Sequence, residues 1–223
     1  MPYPMVHLAI SIKLYELCGV ERSPEFLLGG ISPDSIHMRP NAGKTEKATT
    51  HLDLLPLNRL PADFDMLQHV QSFLEGHLAK ADKEHVSFVK GYATHVLTDV
   101  FWLQTVQVEY KRDRPGELTK EEIRSIYSSE CDQVDYALYQ YSGWRPAVWD
   151  LLRQVKSREL RGVLAEVEIC MWRDRVLGIY DTIGRQPPMV PKYITFERVL
   201  RFIEEAAHEL IAQFKKMGVP LVE

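Results

Sequence analysis

Apolar residues recur at helical spacing along almost the whole chain. Met5, Leu8, Ala9, Ile12, Leu14 and Leu17 mark a helix over residues 5–18, with Gly19 as its stop. Ser23-Pro24-Glu25 reads as an N-cap with proline in the first turn, and Ser32-Pro33-Asp34 repeats that form for a short turn of helix. Pro40, Gly43, Pro56 and Pro61 punctuate residues 38–62, which read as one long loop. Loops of that length in compact domains usually serve function or are disordered.

Further along, Asp63 is placed to cap a helix to about Leu78, and Asp82 a longer one from Lys83 to about Lys111. Thr119 and Glu122 have capping-box spacing for a helix through about Tyr141, ended by Gly143 and followed by a short amphipathic piece at 146–155. Ser157 is placed to cap a helix reaching Thr182 ahead of Gly184. Residues 186–191 read as a connector, and Thr195 caps a last helix that stops at Gly218. No alternating run is bounded by Asn-Gly or Asp-Gly, so strands are not expected. The pattern predicts an all-α chain of about seven or eight helices forming a single domain over residues 1–223.

Composition narrows this further. The chain has 223 residues, 45% hydrophobic and 26% charged, which is ordinary for a globular domain large enough to fold without disulfides. The net charge of −4 gives no basic excess, so stable nucleic-acid binding through counterion release is not expected. A single strand as substrate stays open, since a local groove needs few cations. Cys18, Cys131 and Cys170 are odd in number and far apart, and read as buried thiols of a reducing compartment. The first residues lack a basic stretch ahead of an apolar run, and no window approaches 18 uninterrupted apolar residues. A cytoplasmic protein with no membrane span is the expectation.

Candidate chemistry is concentrated in the first half, over about residues 1–110, with a plainer helical half over about 111–223. Six of the eight histidines lie in the first 85 residues, and a seventh is His95. GYATHVLTDVFW sets His95 and Asp99 at i and i+4, on one face of a helix that is apolar over most of its circumference. A carboxylate and an imidazole buried there need a partner, which a metal or a mutual hydrogen bond can supply. Each other candidate has an ordinary structural reading. Asp34 suits a first-turn acid, His51 a loop histidine, and His7 a core histidine. Together, His7, Asp34, His51, His95 and Asp99 form an ordered string of nitrogen and oxygen donors with no thiolate. Such a set suits zinc, or manganese or iron.

The segments MVHLAI, FLLGGISPDSIH, THL and GYATHVLTDVFW resemble the zinc-dependent phospholipase C family, which is related to the fungal single-strand-specific zinc nucleases. The resemblance covers roughly residues 5–105. It implies an all-α bundle and a metal-dependent phosphoester hydrolase holding one or two zinc ions. By this resemblance Asp34, His51, His95 and Asp99 hold one ion, Asp99 bridges to a second, and His7 serves that second ion. Asp34 also stands where the family has its general base. The family's further zinc ligands lie beyond the bridging aspartate, whereas no histidine occurs here between His95 and His208. His37 is a candidate for the missing ligand or for contact with substrate phosphate, with Asp53, Glu130, Asp132 and Asp135 as weaker ones. Glu204 and His208 read as a solvated charged face. Arg39, Lys44 and Lys47 are candidate phosphate cations or plain loop charges. Tyr92 and Trp102 are candidate pocket walls or core residues.

The expected partner is a small phosphoester or a phospholipid. The competing reading is a non-catalytic metal-bound helical scaffold or sensor. An HD-type phosphohydrolase is disfavoured, because no His-Asp dipeptide occurs in the chain.

Overall fold

The structure, a computed structural model, describes residues 3–79, 81–184 and 189–221. Among them are ten α-helices and no strand: α1 Pro4–Cys18, α2 Pro24–Gly29, α3 Lys44–Thr50, α4 Met66–Leu78, α5 Lys83–Gln104, α6 Val106–Asp113, α7 Lys120–Tyr141, α8 Arg145–Gln154, α9 Glu166–Ile183 and α10 Phe196–Lys216. Short 3-10 segments occupy Ser32–Met38 and Leu57–Arg59. The fold is all-α, as the periodicity predicts. No helix among the described residues is long and apolar enough to cross a membrane.

Helix α5 is the axis of the bundle. It is buried without interruption from Phe88 to Trp102 and packs against α1, α2, α4, α6, α10 and the Ser32–Met38 segment. Helix α1 is buried from Met5 to Ile12 and is held by α5, α7 and α10. One apolar core runs from Met5 to Leu221, so the two halves of the chain share it. Burying each large apolar side chain contributes about 1.5–3 kcal/mol.

The α2–α5 contact is close because it is built on glycine. A Cβ at Gly29 would stand 2.1 Å from the Phe88 carbonyl oxygen, and one at Gly91 would stand 2.1 Å from the Phe26 carbonyl oxygen. Backbone therefore meets backbone, and the chain leaving α2 is pressed against the face of α5 that carries His95.

Several boundaries differ from the expectation, each for a local reason. The helix expected from Lys83 to Lys111 breaks at Thr105, whose hydroxyl donates back to the Phe101 carbonyl at 2.6 Å. Asp65, rather than Asp63, caps α4 by accepting from the Gln68 amide. The 38–62 loop contains α3, whose first turn is tied by the Gly43 amide donating to Glu46. Ser157 does not cap α9. Residues 157–159 have no regular structure, residues 160–164 form a turn closed by the Leu160–Leu164 bridge, and Glu168 accepts from the Ala165 amide to start the helix. Thr195 caps α10 as expected, and Gly218 beyond it has φ +68°. Of the connector at 186–191, residues 186–188 lie outside the described residues. Only Cys131 of the three cysteines is buried; Cys18 is exposed and Cys170 half-buried.

Candidate metal centre

Five donors from four elements converge beside α5. His7 comes from α1, Asp34 from the Ser32–Met38 segment, His51 from the end of α3, and His95 and Asp99 from α5. His7, His51, His95 and Asp99 are at most 2% exposed. Asp34 retains 13% side-chain exposure and marks the open edge.

The donor atoms form two overlapping triads, His7–His95–Asp99 and Asp34–His51–His95, each with its atoms within 4.8 Å of one another. His51 Nε2 is 3.3 Å from Asp99 Oδ2 and 3.6 Å from Asp34 Oδ1. His95 Nε2 is 3.9 Å from Asp34 Oδ2 and 3.9 Å from Asp99 Oδ2. His7 Nε2 is 3.6 Å from the other Asp99 oxygen, and its ring stacks on His95 with centroids 3.7 Å apart. Ligands at about 2.0–2.1 Å around a tetrahedral zinc stand about 3.3–3.4 Å from one another, and wider angles bring them to about 4 Å. The observed spacings fall in that range.

These atoms approach one another without bonding. His7 Nδ1 and Nε2, His51 Nε2, His95 Nε2 and both Asp99 oxygens are buried with no hydrogen-bond partner among the described residues. An orphaned buried polar atom costs about 1–3 kcal/mol, and more when charged. Five of them, the three Nε2 atoms and the two Asp99 oxygens, lie toward the cluster and fit a cation there. The cluster can hold a metal ion.

The far nitrogens of two imidazoles are fixed from behind. His95 Nδ1 donates to the Gly30 carbonyl at 2.9 Å, the position that the glycine contact of α2 and α5 delivers. His51 Nδ1 lies 2.9 Å from the Lys47 carbonyl oxygen. Each bond puts the proton on Nδ1 and leaves the Nε2 lone pair toward the cluster, the usual arrangement for a ligating histidine. The Tyr92 hydroxyl donates to the Thr50 carbonyl, and His69 Nε2 bonds the Leu52 carbonyl at 2.8 Å, so the backbone around His51 is held on both sides. Leu52 and Asp53 sit at φ +55° and +54°, a left-handed turn that non-glycine residues adopt under constraint.

Electrostatics follow from burial opposed by pairing. Burial, then the neighbouring His95, pushes His7 down to about 3. Burial also lowers His95, more than the Asp99 and Asp34 carboxylates raise it. Burial lowers His51 too, but Asp99 and Asp34 outweigh it and the net shift is upward. For Asp34, burial acts to raise the carboxyl; His37, His95, His51 and Lys47 overcome it and hold Asp34 well below the usual range. Asp99 is likewise lowered against burial by His51, His95 and His7.

At the open edge, His37 Nε2 lies 3.5 Å from Asp34 Oδ1, and Lys47 Nζ lies 3.5 Å from the same oxygen and 3.1 Å from His37 Nε2. His37 is 48% exposed and outside both triads. Arg39 is committed elsewhere: its guanidinium bonds both Glu168 oxygens at 2.6 and 2.9 Å and the Val163 carbonyl, tying the Asp34 segment to the start of α9. Lys44 is exposed.

The weaker candidates fall away from the cluster. Asp53 is exposed, and Glu130 accepts from the backbone amides of Lys192, Tyr193 and Ile194. Asp135 accepts from the Met5 amide and the Tyr180 hydroxyl. Glu204 and His208 are exposed on α10, and Glu204 pairs with Lys13. Tyr92 and Trp102 are fully buried core residues. The sequence reading missed Gly30 as the His95 partner and the Arg39–Glu168 fork. The Gly29-Gly30 pair and Gly91 were the available signal for the first.

No family model matches the chain, and no curated protein or solved structure matches it.

Proposed function

We propose that this chain is a metal-dependent phosphoester hydrolase resembling zinc-dependent phospholipase C, with one or two zinc ions as its cofactor. The observation that carries this reading is the set of unpartnered, buried imidazole and carboxylate atoms facing a common space. A nitrogen and oxygen donor set without thiolate suits zinc, and also manganese or iron. When bound, such an ion lowers the pKa of water and polarises a phosphoryl oxygen.

The protein's own groups divide the remaining work. His51, His95, Asp34 and Asp99 would hold the ion, and the second Asp99 oxygen, which lies toward His7, would be available with His7 for a further one. Asp34 Oδ1 is the acceptor at the open edge, where the resemblance places the general base. Its surroundings keep it ionised and weakly basic, which favours ligation over proton uptake. Lys47 and His37 flank that edge and meet the phosphoryl group of a small phosphoester. The apolar wall of α5 excludes water behind the cluster.

One observation favours the second reading, a non-catalytic metal-bound protein. Four of the five donors are at most 2% exposed, and structural metal sites are closed. Turnover of bis(p-nitrophenyl) phosphate by zinc-loaded protein decides between them. Hydrolysis that is lost in the Asp99→Asn variant supports the hydrolase; stoichiometric zinc with no hydrolysis supports the closed site.

A further inference from the structure

We propose that the cavity under Trp172 is a binding site for a compact, uncharged apolar ring bearing a hydrogen-bond acceptor, and that this ring is the ester-linked part of the substrate. The first part stands on the cavity itself; the second rests on the hydrolase reading. The cavity measures about 210 Å³ and is walled by Tyr3, Pro4, Trp172, Val176 and Ile179, with Asp132 at one side.

Two separate routes place it beside the metal centre. The Trp172 indole packs against the His37 ring with centroids 5.8 Å apart, and His37 in turn meets Asp34. On the opposite wall, Pro4 lies in the first turn of α1, one helical turn from His7. The cavity is therefore separated from the donor cluster by Trp172 and His37 on one side and by one turn of α1 on the other.

Size and chemistry define the occupant. An apolar cavity of about 150 Å³ holds benzene, so this one takes a single ring or a compact bicycle and not a pair of acyl chains. The walls are aromatic and aliphatic. The Trp172 indole N–H is buried with no partner among the described residues, and Trp172 itself is only 9% exposed. An indole N–H is a donor only, so the missing partner is an acceptor. The Asp132 carboxyl borders the space and disfavours an anion in it, while Asp135 is occupied by the Met5 amide and the Tyr180 hydroxyl; Arg175 at the rim is exposed. The anionic phosphoryl group belongs instead at Lys47 and His37.

The test separates the cavity from the chemistry. Binding of 4-fluorophenol to the full, metal-free chain is followed by fluorine NMR. Wild type is expected to show saturable binding in the millimolar range or tighter. Ile179→Trp fills the cavity from a half-exposed position and should weaken binding at least tenfold. Trp172→Phe keeps a ring but removes the N–H and should weaken it several-fold. No saturable binding in wild type, or equal binding in both variants, overturns the site. With zinc-loaded protein, 4-fluorophenol should inhibit bis(p-nitrophenyl) phosphate hydrolysis competitively, and at least tenfold less well in Ile179→Trp. Non-competitive inhibition would overturn the assignment to substrate. Binding without any hydrolysis would overturn the hydrolase reading and support the cavity.

Discussion

His95 donates through Nδ1 to the Gly30 carbonyl at 2.9 Å, and this bond aims its other nitrogen between Asp34 and Asp99. The histidine belongs to both candidate triads, so its loss affects every ion the cluster can hold. His95→Ala is expected to weaken zinc binding at least about 100-fold, since even outer-shell changes at such sites cost about 10–100-fold. Competition with a chromophoric chelator measures this. Unchanged affinity in His95→Ala and Asp99→Ala would remove both residues from the site.

Gly91 controls the same bond from a distance. A Cβ there meets the Phe26 carbonyl oxygen at 2.1 Å and the Gly30 amide nitrogen at 3.0 Å. Gly91→Ala gains about 1 kcal/mol of helix propensity but forces α2 away from α5, for a net loss of about 1–3 kcal/mol. Chemical denaturation of the metal-free protein reads that loss. Zinc affinity should fall as well, because Gly30 retreats with α2. An alanine variant as stable as wild type would contradict the backbone contact.

The Arg39–Glu168 fork joins the segment carrying Asp34 to the second half of the chain. Both Glu168 oxygens are engaged, and one also accepts from the Ala165 amide at the start of α9. Glu168→Gln is expected to destabilise by about 1–3 kcal/mol, because it weakens a charge-assisted, partly buried pair. The 3-10 segment should then open to faster hydrogen exchange around Asp34. Exchange confined to α9 would show that the fork holds α9 alone.

Asp135 gives the protein a pH signature independent of the metal ligands. Burial raises its carboxyl to about 7, against the hydrogen bonds from Tyr180, Val6 and Met5 that lower it; Asp132 raises it further. The folded state therefore holds a proton that the unfolded chain releases near pH 4. Stability from this group is present below about pH 4 and is lost as pH rises toward 7, at about 1.4 kcal/mol per pH unit for one proton. Denaturation of the metal-free protein across that window should show the Asp135→Asn variant falling less steeply than wild type, by about one proton. Parallel curves would place the ionised carboxylate in the folded state.

The helix framework was legible where a Ser, Thr or Asp stands directly before the first helical residue and reads as its cap. Ser23, Asp82, Thr119 and Thr195 each accept from the amide three residues on, as the sequence predicts. It was illegible where a side chain finds a distant partner. Arg158 leaves the position beside Ser157 to bond Asp82, 76 residues away, and the start of α9 passes to Glu168. The break at Thr105 comes from one hydroxyl competing with the backbone, which periodicity does not register. In the candidate metal centre, the spacing of His95 and Asp99 placed two donors on one face. Their meeting with His7, Asp34 and His51 depends on helix packing that the residues foreshadow only through the glycines of α2 and α5.

The account stands on His7, Asp34, His51, His95 and Asp99 holding one or two cations between them. Elemental analysis of the purified protein, followed by calorimetric zinc titration of the chelator-stripped chain, tests it most directly. The expected result is zinc or a similar transition metal at one to two equivalents, with rebinding at sub-micromolar affinity that His95→Ala abolishes. Protein that is isolated free of metal and takes up none at micromolar zinc would contradict it.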